Sequence, residues 1–360
     1  MTALALIIAP FLVSLAVGWL MIRFGPKDAP DGGRKTQAAP VPTSGGLAII
    51  AGVAAGMAAL IAAGTTVAGP LTSAPLAGAV CFAVFAAALG ALDDARGLPA
   101  MAKLLILLGA AWGAVQLGTL PGSLEVAGMI LPLPALVGGL LAIGWIFVMA
   151  NAVNFMDGAN GVAMGTALAI LSVLALTLAP IAAMSPDRAE IRVLMSLLLM
   201  AAAGAGGFLF WNLRGKLFAG DAGSLSVGGL IGGASVVYAM HGSALVPLTL
   251  CLPILIDVFF TLAWRAKHGR PLMQAHRDHA YQLLIRAGWP HDQVARLWWG
   301  MTAVCAGGAM AGPFAVSVGA YKAGGVPVDA VVFAVLFAAG AWLWLNQRAS
   351  LGRQLEADGK

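Results

Sequence analysis

Charge is scarce in this chain. Asp, Glu, Lys and Arg make up 10% of its 360 residues, against 60% hydrophobic residues and a mean hydropathy of +0.91. A soluble domain carries about 25% charged residues, so a soluble globular protein is excluded and an integral membrane protein is indicated. There are only three cysteines, Cys81, Cys251 and Cys305. All fall in apolar stretches without paired spacing, which argues against a disulfide framework or a thiolate metal site and for small core residues. No Walker loop, serine nucleophile elbow or His-Glu-x-x-His helix occurs, so ATPase, covalent hydrolase and zinc protease chemistry lack support. Nucleic-acid motifs, low-complexity linkers, internal repeats and a separate soluble domain are likewise missing.

What the chain has instead is apolar length. Crossing about 30 Å of hydrocarbon takes about 20 helical residues. Eleven stretches qualify, near 3–22, 45–68, 75–92, 103–120, 133–150, 162–183, 191–211, 222–241, 243–264, 295–318 and 327–347. The first lacks a basic leading region and runs longer than a signal-peptide core, so it reads as a retained span. Residues 121–134, PGSLEVAGMILPLP, are expected to form a small hairpin outside the membrane. Many of the 47 glycines fit close helix packing in lipid.

Orientation follows from the basic residues, which concentrate in cytoplasmic loops. With the N-terminus outside and the C-terminus inside, only Arg188, Arg192 and Lys322 of the 20 Lys and Arg residues lie outside. The formal charge of +5 therefore sits mainly on the cytoplasmic face, where it suits anionic lipid and anionic substrates.

In this topology four polar motifs share the inner face: ALDDARGL (91–98), NAVNFMDGANG (151–161), FAGDAGSL (218–225) and AHRDHAYQ (275–282). Ionisable groups at the ends of apolar spans are functional candidates, because they are costly near hydrocarbon. Adjacent helical residues point about 100° apart, so Asp93 and Asp94 take different roles, one on a cation or proton and the other oriented by Arg96 or Lys103. Asn151, Asn154 and Asp157 recur every three residues and suit hydroxyls, phosphate or a base edge; Asn160–Gly161 is a turn signal. Asp221, between Gly220 and Gly223 before a span, is a natural hard-cation ligand, and the helix start behind it can receive an anion. His276, Arg277, His279 and Tyr281 lie in a long basic loop, and Arg and protonated His are good phosphate partners. Carboxylates, basic groups and glycine turns together favour metal-assisted phosphoryl transfer.

These motifs, in this order, resemble the polyprenyl-phosphate N-acetylhexosamine-1-phosphate transferases (glycosyltransferase family 4). The likeness runs from DAPDGGRK and PVPTSGG (28–46) to the histidine loop, and the span count and HRDHAYQ form are closer to the branch initiating O-antigen and lipopolysaccharide. The resemblance implies an all-α bundle of about eleven transmembrane helices, residues 1–360 forming one domain. Its active site would lie in cytoplasmic loops 23–44, 93–103, 151–161, 212–224 and 265–294, at a bacterial inner membrane.

The implied reaction moves a sugar 1-phosphate from a UDP-N-acetylsugar to polyprenyl (undecaprenyl) phosphate and releases UMP. It uses Mg²⁺, with Mn²⁺ as the alternative ion. Asp93, Asp94, Asp157 and His279 are the implied catalytic residues, and Asp221 with Asp94 the metal ligands. Lys35, Lys103, Asn151, Asn154, Asn160, Asn212, His276 and Arg277 are implied in substrate binding, and Phe218 in stacking on uracil. A homodimer is allowed, and nucleic acid is not a partner. Two departures matter: Asn160 stands where many members have Asp, and Tyr281 where another branch has His. The rival classes are an ion-coupled secondary transporter, which should place acids near mid-span, and an aspartyl protease pairing Asp221 with Asp257.

Overall fold

The computed structural model describes residues 4–28, 40–65, 68–184, 189–274, 276–319, 322–323 and 325–357. The protein is an all-α polytopic membrane protein. A π-helical turn, Leu4–Ile8, leads into α1 (Ala9–Phe24). There follow α2 (Gly45–Ala62), a short α3 (Ala68–Leu71), α4 (Ala74–Arg96), α5 (Ala100–Gln116), α6 (Ala135–Met156), α7 (Val162–Met184) and α8 (Ala189–Asn212). The chain continues with α9 (Gly220–Ala239), α10 (Leu245–Lys267), a short α11 (Ala280–Arg286), α12 (His291–Ser317) and α13 (Val328–Ala357).

Each of the eleven apolar stretches is a helix, and ten are long and apolar enough to cross a membrane. The exception, α5, has 17 residues. Helix boundaries depart from the sequence reading in both directions: α2 and α5 end early, at Ala62 and Gln116, but around the polar motifs helices continue past their apolar runs. Thus α4 includes Asp93 and Asp94, α5 begins before Lys103, α6 carries Asn151 and Asn154, and α9 starts at Gly220. Backbone hydrogen bonding is indifferent to where hydrocarbon stops, so termination falls on local signals instead. Gly97, left-handed at φ 65°, ends α4 by donating its amide to the Asp93 carbonyl at 2.8 Å. Pro99, Pro134 and Pro290 stand immediately before α5, α6 and α12.

The predicted hairpin forms as β3 (Ser123–Val126) paired antiparallel with β4 (Met129–Pro132), after a shorter pair, β1 (Lys27–Asp28) and β2 (Val41–Pro42). The Glu125 carbonyl accepts the Ala244 amide at 2.9 Å, which ties the hairpin to the α9–α10 turn. Cys251 and Cys305 are buried, as expected, whereas Cys81 lies on an exposed face of α4.

Helix α9 is the axis of the bundle. Sixteen of its twenty residues are buried, and it packs chiefly against α4 and α6. Two glycine rows let it do so. A Cβ at Gly229 would stand 2.6 Å from Phe82 and one at Gly233 2.6 Å from Ala79, both on α4; one at Gly228 would stand 2.6 Å from the Met149 carbonyl on α6. Small residues four apart on a face permit this close approach in lipid. The consequence is positional: the polar ends of α4, α6 and α9 meet at one end of the bundle, opposite the β3–β4 hairpin.

Candidate active site

Two helix ends, of α4 and α6, and two helix starts, of α5 and α9, converge here. Asp94, in the last turn of α4, accepts the Asp221 amide on Oδ1 at 2.9 Å and the Ala222 amide on Oδ2 at 3.1 Å, capping α9 from another helix. The approach requires glycine twice. Gly220 has φ +68°, and a Cβ there would meet the Thr43 carbonyl at 2.1 Å and Asp94 Oδ2 at 2.5 Å; a Cβ at Gly90 would meet the Asp221 backbone at 2.4 Å.

Asp93, the neighbour on α4, turns the other way, as the 100° helical step requires. Its Oδ1 accepts the Leu98 amide and its Oδ2 the Lys103 ammonium at 2.7 Å. Lys103 also donates to Asp221 Oδ2 at 2.5 Å, so one cation bridges α4 and α9 from the start of α5. The other oxygen of Asp221 accepts the Asn154 amide at 2.8 Å, and Asn154 donates to Ser224 Oγ at 2.9 Å. Asp157, just past α6, completes the acidic group. Desolvation, then the negative charges of Asp221 and Asp94, push its carboxyl well above the usual carboxylate range. Among the described residues, Lys103 thus pairs with two of these carboxylates, Asp93 and Asp221, while Asp94 and Asp157 lie beside them without a basic partner, a setting that favours a further cation.

Among the described residues, no three His, Cys, Asp or Glu side chains are grouped to cage a metal ion. The chemistry of the donors fits a different arrangement. Mg²⁺ commonly takes one or two carboxylates and completes its shell with phosphate oxygens and water, which Asp221 and Asp94 can serve. Asp94 gives both oxygens to amides, yet each carboxylate oxygen retains a second lone pair.

Other candidate residues frame this centre. Phe218 is half-buried; its amide donates to the Pro42 carbonyl at 2.9 Å and its carbonyl accepts the Gly45 amide at 2.9 Å, so β2 and α2 hold the entry to α9. Asn212 is buried and bridges two turns: Oδ1 accepts the Gly161 amide at 2.7 Å and Nδ2 donates to the Leu217 carbonyl at 2.9 Å. The Asn160 amide donates to His291 Nδ1 at 3.2 Å. Asn151 is buried within α6 and its amide group donates to the Phe147 carbonyl at 2.8 Å, one turn back on the same helix. Lys35 lies outside the described residues.

The histidine loop abuts the end of α6. Tyr281 donates its hydroxyl to the Phe155 carbonyl at 2.9 Å, and Phe155 stacks on His279 at 6.0 Å between ring centroids. His279 precedes α11, with its amide bonded to Gln282 Oε1 at 3.2 Å. His276, 5.0 Å from it by ring centroids, is pushed down to about 4 by burial and by the neighbouring His279 and Arg265, so it is neutral at pH 7. The phosphate-binding charge that the sequence suggests for His276 is therefore lacking, and the ring offers only neutral hydrogen bonds. Arg277 is half-buried between His276 and the buried Asp278.

Four residues central to this loop escaped the sequence reading or were left aside in it. Asp278 pairs with Arg265, whose Nη2 donates to the Pro271 carbonyl at 2.5 Å. Arg348 donates to the Asp278 carbonyl at 2.6 Å and lies over the Trp264 ring at 3.6 Å. Asp257 is engaged with Thr261 and the Ala280 amide. Its signal was present: Asp257, Thr261 and Arg265 lie four apart on one face of an otherwise apolar helix.

Fold and site together define a polytopic membrane phosphotransferase. Residues 76–239 match the model for glycosyl transferase family 4. The chain is similar to a probable undecaprenyl-phosphate N-acetylglucosaminyl 1-phosphate transferase of Bacillus subtilis, 31% identical over 79% of this chain and 75% of the relative. It is also similar to a phospho-N-acetylmuramoyl-pentapeptide-transferase of Corynebacterium jeikeium, 29% identical over 84% and 93% of the two chains. A decaprenyl-phosphate N-acetylglucosaminephosphotransferase of Mycolicibacterium smegmatis is 26% identical over 82% of this chain and 78% of its own. The chain belongs to glycosyl transferase family 4.

Proposed function

We propose that the chain transfers an N-acetylhexosamine 1-phosphate from a UDP-sugar to polyprenyl phosphate, releasing UMP. Transfer of a phosphorylated N-acetyl sugar is common to the three relatives' names, and two of them name a polyprenyl phosphate. One observation carries the reading: Lys103 and Asn154 hold Asp221 at the amide end of α9, among three further carboxylates.

The acceptor is a phosphate monoester with a second pKa near 6, so it is already largely ionised at neutral pH. No enzyme nucleophile is required, and the main barrier is bringing two anions together. Mg²⁺, held by Asp221 with Asp94, would supply charge neutralisation on the diphosphate. Asp94 keeps the α9 amides and the Asp221 carboxylate in register. Lys103 and Arg277 offer positive charge to phosphate oxygens, and Asp93 orients Lys103. Asp157, with its raised affinity for a proton, is suited to exchange one with a phosphate or sugar hydroxyl. Phe218 and Asn160 are candidates for the uracil and ribose.

The excess of Lys and Arg in the loops at the site's end supports a cytoplasmic site, with the N-terminus outside, in a bacterial inner membrane. The eleven helices and the HRDHAYQ loop favour initiation of an envelope polysaccharide such as O-antigen. The four clustered acids, Asp93, Asp94, Asp157 and Asp221, lie at helix ends rather than at mid-span, which disfavours the transporter alternative.

The test is UMP release by purified protein given undecaprenyl phosphate, Mg²⁺ and a panel of UDP-N-acetylsugars. We expect release with one sugar, dependent on lipid and metal. Lipid-independent release, or none from folded protein, would contradict the reading.

A further inference from the structure

Asp257 sits in α10 with 1% exposure, and His279 opposite it has 3%. A buried carboxylate is costly unless partnered. Oδ1 of Asp257 accepts the Ala280 amide at 2.7 Å, the Thr261 hydroxyl at 3.1 Å and the Trp344 indole at 3.3 Å, joining α10, α11 and α13. The same oxygen is 3.7 Å from His279 Nδ1. Neither His279 Nδ1 nor Asp257 Oδ2 has a hydrogen-bond partner, and both are buried. The unpartnered Nδ1 thus lies less than 1 Å beyond hydrogen-bond range of Oδ1, on a carboxylate whose other oxygen is unpartnered too.

The imidazole plane is held independently. Phe155 and Tyr281 stack on the ring, each at 6.0 Å between centroids, and His276 lies at 5.0 Å. This leaves the ring little freedom except in which nitrogen carries the proton, and a carboxylate on one nitrogen decides that.

We propose that Asp257 is a positioning residue: its buried carboxylate fixes a proton on His279 Nδ1 and so presents Nε2 as the exchanging atom at the Asp157 end of the site. The inference rests on His279 acting in the reaction. A merely structural staple would need only the three neutral donors on Oδ1, which an amide oxygen also accepts. Charge distinguishes the two roles.

The experiment compares Asp257→Asn, His279→Gln and the double variant in the transferase assay, with thermal melting in detergent. Asp257→Asn should melt near the wild type, keep KM for the UDP-sugar and lose about ten- to a hundred-fold in kcat. The double variant should be no slower than His279→Gln, because the carboxylate acts through that ring. Full kcat in Asp257→Asn beside an inactive His279→Gln overturns the positioning role alone. Full kcat in His279→Gln overturns the reading beneath it. Should Asp257→Asn fail to fold, ¹⁵N spectra of the wild-type imidazoles decide, with His279→Gln assigning the signal. A proton on Nδ1 supports the proposal, and a neutral ring protonated only on Nε2 overturns it.

Discussion

Asp94 caps a helix 127 residues away: its carboxylate takes the first amides of α9 at Asp221, 2.9 Å from the nearer oxygen. The bond joins helix stability to active-site geometry, and the two can be separated. Asp94→Asn retains an acceptor for one of the two amides, and even losing an N-cap costs only about 1 kcal/mol. We expect this variant to melt within a few degrees of the wild type. Its activity should fall about a hundred-fold or more, because the charge is what serves the metal and phosphate.

Gly220 tests the backbone side of the same contact. A side chain there must adopt φ +68° and also displace the Thr43 carbonyl or Asp94. The left-handed conformation alone costs about 1–2 kcal/mol. Gly220→Ala should lower the melting temperature and abolish transfer, whereas Gly109→Ala, whose Cβ meets nothing within 4 Å, should do neither.

Among the described residues, Lys103 is the one ammonium bonded to this acidic cluster, shared by Asp93 and Asp221. Removing it raises the local negative charge without removing a metal ligand. Lys103→Met should lower kcat and also lower the Mg²⁺ concentration for half-maximal rate. A Mg²⁺ titration of the two proteins checks this, and a raised requirement would argue that Lys103 shapes the metal site rather than competes with it.

His276 carries the pH dependence. Its folded value, about 4, lies below the ordinary 6.5, so its contribution to stability is present above 6.5 and lost as pH falls toward 4. Thermal melting between pH 7 and 5 should show His276→Gln losing less stability than the wild type. An equal loss in both would mean that His276 does not govern that window.

The helices were legible because each span is an unbroken apolar run, and hydrocarbon thickness fixes its length. Their ends were not: Asp93, Lys103 and Asn154 were read as loop residues, yet lie in helices whose backbone bonds continue beyond the lipid. Grouping Asp93, Asp94, Asp157 and Asp221 was legible from charge bias alone, since a common membrane face brings distant motifs together. What Asn212 and Asn151 do was not legible, because a polar residue at a helix end can face substrate or its own backbone, and both bond backbone carbonyls here. Asp257 was visible in the sequence, but what it bonds was not. Its partners, Ala280 and Trp344, come from α11 and α13, 23 and 87 residues away.

The most direct test follows the phosphorus atom. Protein in detergent with undecaprenyl phosphate and Mg²⁺ is given the preferred UDP-sugar labelled in its β-phosphate. Transfer of a sugar 1-phosphate carries the label into the lipid fraction and leaves UMP unlabelled, and Asp221→Ala should abolish both. Label remaining in the aqueous phase as UDP, with sugar alone on the lipid, would contradict the account.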